Sequence, residues 1–160
     1  ANVLVAVLNK EYPLFSYGAK ILSLADRPNF ALYTSPTVIA IAFYFATKKH
    51  GEALAKKKIS ILLEHLKITT IDEDCTKLAM KNPKINDLED GIQYYSALNC
   101  NANYIITDDT NGFYPYLFNP LSYTHETLLF GDIVHYKCPN RFTVVPSRTI
   151  RLFSRLLTLM

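Results

Sequence analysis

The chain lacks a long apolar run. Its longest, VIAIAFYFA from Val38 to Ala46, is far short of the roughly 18 to 20 residues that cross a bilayer. No basic stretch precedes the apolar residues at the N-terminus to make a secretion signal of them. Cysteine is scarce as well: Cys75, Cys100 and Cys138 are odd in number, widely spaced and without a CxxC or histidine partner. That pattern speaks against a disulfide framework or a zinc site and for reduced, partly buried thiols. Internal repeats and low-complexity tracts are missing, and no long linker divides residues 1–130. The reading is a soluble, cytoplasmic chain. Its 160 residues, 49% hydrophobic and 19% charged, suit one domain with a sizeable core.

Arginine is nearly absent from the first 130 residues, where Arg27 stands alone among lysines. Residues 1–130 hold 12 Lys and Arg against 13 Asp and Glu, whereas 131–160 hold 5 against 1, of which Lys137 is the only lysine. The net charge of +3 therefore comes from the tail. Such a switch marks a segment of different origin. The division expected is a domain over 1–130 and a basic tail over 131–160. The end of that tail fits a basic amphipathic helix, with Arg148, Arg151 and Arg155 along one side and Ile150, Phe153, Leu156 and Leu157 elsewhere. A partner groove, an anionic membrane or RNA would suit it; translated vector or frame-shifted sequence is the alternative.

Along the body, short apolar runs alternate with helical patterns. Val3 to Leu8, rich in β-branched residues, reads as a strand, and Leu14 to Ala25 as a helix. Phe30 to Tyr33 is strand-like. Ser35 before Pro36 is a cap and first-turn pair that starts a helix running to His50, with Gly51 as its stop. Ile59, Leu62, Leu63 and Leu66 share one apolar helix face, and the preceding Lys56, Lys57 and Lys58 read as solvated. Ile68 to Ile71 follows as a strand, Asp74 to Met80 and Leu88 to Leu98 as helices, and Tyr104 to Thr107 as a buried strand. This alternation predicts an α/β fold with a mostly parallel sheet and right-handed crossovers. Function in such sheets gathers beyond the carboxyl ends of the strands.

Two acidic clusters occupy such positions. In NDLEDGIQYY, Asp87 and Asp90 lie three residues apart at a helix start, where negative charge is favoured. In YIITDDTNGF, Asp108 and Asp109 follow the end of a strand. Carboxylates brought together repel unless a cation lies between them, and hard oxygen ligands suit Mg²⁺ or Mn²⁺, ions that activate water against a phosphodiester. Acids at helix starts and in turns also serve simply as caps.

The phrases NVLVAVL, LYTSPTVIAIAFYF, NDLEDGIQYYSAL and ANYIITDDTNGF, in this order and at these separations, resemble the PIN domain family, particularly its bacterial branch of VapC-type toxin ribonucleases. The resemblance covers about residues 1–130. It implies a three-layer α/β/α fold with a central, mostly parallel sheet of four to five strands. It also implies a metal-dependent endoribonuclease that uses Mg²⁺ or Mn²⁺ on an RNA substrate, a homodimer, and an antitoxin protein that neutralises it. Asp90 takes the place of the third active-site carboxylate and Asp109 of the fourth, so that these two hold the metal. Asp87 is an additional nearby acid that orients a water. Thr107 matches the hydroxyl residue of the last motif, Ser35 the Ser or Thr of the second, and Asn2 the Asn of the opening Asp-x-Asn motif.

Two positions depart from that pattern. The Asp that ends the family's first strand would stand immediately before Ala1, which gives the opening run the look of a motif missing its leading residue. The second acid, six residues after Ser35, is replaced by Ile41, which neither ligates a metal nor accepts a hydrogen bond. With two of four carboxyl positions empty, weak metal binding and poor RNA cleavage are expected of the chain as it stands. A catalytically impaired domain that binds RNA or a protein partner is the competing expectation. Read without the family, Asn2 and Thr107 serve backbone hydrogen bonds, and His50, His65 and His125 serve helix ends. Tyr94 and Tyr95 pack on the sheet, while Tyr114 and Tyr116, flanking Pro115, are the aromatic residues expected to stack on RNA. The domain is expected to close with a short helix over Thr124 to Phe130.

Overall fold

A computed structural model describes residues 1–102 and 104–108 together with the backbone of 128–130 and 133–137. Within them the order is α1 (Asn2–Asn9), α2 (Leu14–Leu22), a 3-10 turn (Ser23–Asp26), β1 (Tyr33–Thr34), α3 (Pro36–His50), α4 (Glu52–Leu63) and β2 (Lys67–Ile68). There follow α5 (Glu73–Lys81), α6 (Leu88–Asn99), β3 (Tyr104–Thr107), β4 (Leu128–Phe130) and β5 (Ile133–Lys137). The described chain divides into two compact units. The first takes Ala1–Thr34 and Val38–Ile68; the second takes Ser35–Thr37 and continues from Thr69.

The opening run is a helix, not a strand. Val3, Val5 and Val7 alternate as strand residues do, but every residue between them is apolar too, and a run buried on both sides does not reveal its period. The packing is helical. Leu4 and Leu8, four apart, face the core that also holds Ala42, Ala46, Ala55, Ile59, Leu62 and Leu66. Val3 and Val7, also four apart, lie against Gly18 of α2, where an added Cβ would stand 3.2 and 2.7 Å from their methyl groups. Lys10, at φ 53°, ends α1 in the left-handed region. Its N–H and that of Glu11 bond back to Val7 O and Ala6 O, at 3.3 and 2.9 Å, the closure typical of a left-handed helix end.

The helices of the first unit lie close because small residues line them: Ala42 and Ala46 on α3 and Ala55 on α4 are at most 1% exposed. That leaves room for Leu8 and Leu62 to reach across. The chain then returns to place β1 parallel to β2, with Tyr33 opposite Lys67 and Thr34 opposite Ile68.

In the second unit α5 and α6 pack on one another through Gly91, where a Cβ would lie 2.7 Å from Ile85 Cγ2 and 3.0 Å from Ala79 Cβ. Asn99 ties the far end of α6 to the start of α5, its Nδ2 donating to Cys75 Sγ and Asp72 Oδ2 at 3.1 and 3.3 Å. β3, β5 and β4 form an antiparallel sheet in that order, Ile105 opposite Tyr136 and Leu129 opposite Val134. The described residues are thus helix-rich, with a small two-stranded parallel sheet and a three-stranded antiparallel one. Leu128–Phe130, expected to be the end of a helix, is a strand because its backbone finds partners on β5. The amphipathic segment 148–157 and Tyr114 and Tyr116 lie outside the described residues.

Candidate active site

The sequence places its acids where local chemistry can hold them, and α6 shows how. Asp87 is the N-cap: its Oδ1 accepts from the backbone N–H of Glu89 at 2.8 Å and of Asp90 at 3.4 Å. A helix start leaves such donors without intrahelical partners, and a capping carboxylate answers them. Asp90 therefore sits in the first turn, half-buried, beside an exposed Asp87. Glu89 in the same turn reaches one turn on to Gln93. The backbone N–H of Gly91 bonds Asp87 O at 3.0 Å and continues the turn. This arrangement places Asp87 as the cap and Asp90 in the first turn at the positive end of the helix dipole.

Thr107, 3% exposed, ends β3, and Asp108 follows it exposed. These belong to the same unit as Asp87 and Asp90. Asp109 lies outside the described residues. Asn2 belongs to the first unit, where its Oδ1 accepts from Val3 N at 2.8 Å, a local bond at the start of α1. Ser35 is 4% exposed and directly precedes Pro36, the first residue of α3. Ile41 lies half-buried on α3.

Oxygen donors of this kind are right for a hard divalent ion. Among the described residues, however, no group of three His, Cys, Asp or Glu is placed to hold one. Cys75 contributes nothing nucleophilic: burial pushes its thiol pKa up, and it is 1% exposed. Asp72 caps α5 by accepting from Cys75 N at 2.8 Å, and that bond pulls its carboxyl below the usual range.

A second polar cluster was not foreseen. Lys58, read as solvated, is 4% exposed. Its Nζ donates to Leu8 O at 2.8 Å and lies 3.2 Å from His50 Nε2. The signal was present in the spacing, since Lys58 stands at i, i+3 and i−4 from Ala55 and Leu62 on the buried face of α4. His65, expected at a helix end, pairs with Asp26 at 3.2 Å.

Among the described residues no helix is long and apolar enough to cross a membrane. Comparison with curated proteins and with solved structures yields no match. The family comparison does: the model of the PIN domain matches residues 1–111, a span that contains α1 to β3 and every acid discussed above. PIN domains are nuclease domains that typically depend on divalent metal, and the chain belongs to the PIN domain family.

Proposed function

We propose that this PIN domain is a metal-dependent endoribonuclease of the VapC-type branch, the toxin of a toxin–antitoxin pair. It would work in the cytoplasm as a homodimer on RNA and be neutralised by an antitoxin protein. The three-layer fold with a four-to-five-stranded sheet belongs to the same proposal. The observation that carries it is the start of α6, where Asp87 caps the helix and Asp90 lies in its first turn, both within the family match.

In this reading Asp90 and Asp109 hold Mg²⁺ or Mn²⁺, and Asp87 orients the attacking water. When bound, the ion would supply activation of that water and neutralise charge on the phosphodiester. The chain's own part is positioning. The cap bond fixes Asp87 at the start of the helix that carries Asp90, and Thr107 ends the strand that leads to Asp109. Asn2 and Ser35 are supporting residues at the starts of α1 and α3.

Ile41 favours a second reading, a domain that binds RNA or a protein partner without cutting. An RNase assay with Mn²⁺ against EDTA, on this chain and on Asp90→Asn, separates the two. Cleavage that needs Mn²⁺ and disappears in the variant is the expected result. Metal-independent cleavage, or activity that survives Asp90→Asn, would overturn the enzyme reading. RNA retained by both proteins without cleavage in either would establish the second.

A further inference from the structure

The carboxyl end of α1 is held in an unusual way. A helix ends with carbonyls that have no intrahelical partner and with the negative end of its dipole. Here Leu8 O receives Lys58 Nζ of α4 at 2.8 Å, and Asn9 O receives Lys49 Nζ of α3 at 2.6 Å. His50, the last residue of α3, puts Nε2 at 3.2 Å from Leu8 O and at 3.2 Å from Lys58 Nζ. One nitrogen cannot serve both: towards the carbonyl it must donate, and towards the ammonium it must accept. Lys58 carries three hydrogens, so it can donate to Leu8 O and also to a neutral His50 whose lone pair accepts from it.

We propose that His50 and Lys58 form an acid-released clasp: neutral His50 accepts from Lys58 and so steadies the ammonium on Leu8 O at the carboxyl end of α1, and protonation of its ring loosens that hold. A protonated ring loses the lone pair and sets a second positive charge 3.2 Å from an ammonium that is 4% exposed. Water screens such a pair poorly. The other charges facing the ring deepen the effect. Lys49 from α3 and Lys10 at the end of α1 both disfavour its charged form; the Glu11 carboxylate accepts from the Asn9 side-chain amide at 3.0 Å. Burial first, then Lys58, holds the His50 pKa below its ordinary 6.5, outweighing the Leu8 carbonyl, which favours the charged ring. Lys58 is likewise lowered, chiefly by burial and then by Lys10 and Lys49. The sign follows from linkage. The unfolded chain takes up a proton near pH 6.5 and the folded one only at lower pH, so this stabilisation is complete above 6.5 and disappears as pH falls through the folded value. The clasp stands whether or not the acids of α6 cut RNA.

Hydrogen exchange of the α1 amides, corrected for intrinsic rates, tests it between about pH 8 and about pH 5, the range over which imidazole changes charge. Protection in the natural chain is expected to fall as pH drops below 6.5, while His50→Gln, which keeps an acceptor but does not titrate, stays flat. Lys58→Met, which removes the ammonium, is expected to reduce the pH dependence. The same pH dependence in His50→Gln would overturn the proposal. If that variant does not fold, an NMR titration of the natural protein decides: His50 titrating at or above 6.5 contradicts the clasp.

Discussion

Gly91→Ala sets two effects of known size against each other next to Asp90. The backbone at Gly91 is helical, so alanine gains about 1 kcal/mol of helix propensity. Its Cβ, however, would stand 2.7 and 2.9 Å from Ile85 Cγ2 and Cδ1 and 3.0 Å from Ala79 Cβ. Ile85 is half-buried and has some freedom to turn aside, but Ala79 is 2% exposed and its Cβ is fixed to the backbone of α5. Overpacking of this kind costs about 1 to 3 kcal/mol, so the variant should lose about 1 kcal/mol net. Urea unfolding gives the size, and a double-mutant cycle gives the cause. In an Ile85→Ala background the two nearest atoms are gone and only the Ala79 contact at 3.0 Å opposes the propensity gain, so Gly91→Ala should cost less than in the natural background, a coupling of about 1 kcal/mol. Stabilisation by Gly91→Ala in the natural background would refute the close approach of Ile85 and α5 to α6 at Gly91.

Asp87 caps α6 and, in the proposed function, also orients a water, two duties that substitutions separate. Asp87→Asn keeps a capping oxygen and should leave the melting temperature unchanged while lowering RNA cleavage, whereas Asp87→Ala should also cost about 1 kcal/mol of stability by urea titration. Acid should loosen α5 through Asp72, whose folded pKa is lowered by the bond from Cys75. Its contribution is complete above the unfolded value of 3.8 and lost as pH falls through the lower folded one. Asp72→Asn, which caps without titrating, should flatten that part of the stability profile.

What the sequence disclosed was what neighbouring residues decide. Ser35 before Pro36 announced α3 to the residue, and Asp87 announced α6 because a cap acts within three positions. Asp90, in the first turn of that helix, was legible for the same reason, whereas Asp109 lies outside the described residues. Pairing across the chain was not. β1 finds its parallel partner beyond two intervening helices, and β3 pairs antiparallel with β5 although the alternation of elements suggested parallel neighbours. The opening run misled because it is apolar throughout, and only its packing against Gly18 and the α3–α4 core reveals the helical period. Lys58 misled in the opposite sense. Its charge suggested solvent, while its place on the α4 stripe put it under the end of α1, where a carbonyl receives it.

The central claim is that Asp90 and Asp109 together hold the divalent ion of a nuclease. Free Mn²⁺, followed by electron paramagnetic resonance while each protein is titrated in without RNA, tests it most directly. The natural chain should deplete the free-ion signal, and Asp90→Asn and Asp109→Asn, each shown to be folded by circular dichroism, should each abolish that depletion. Equal depletion by all three proteins would contradict the account.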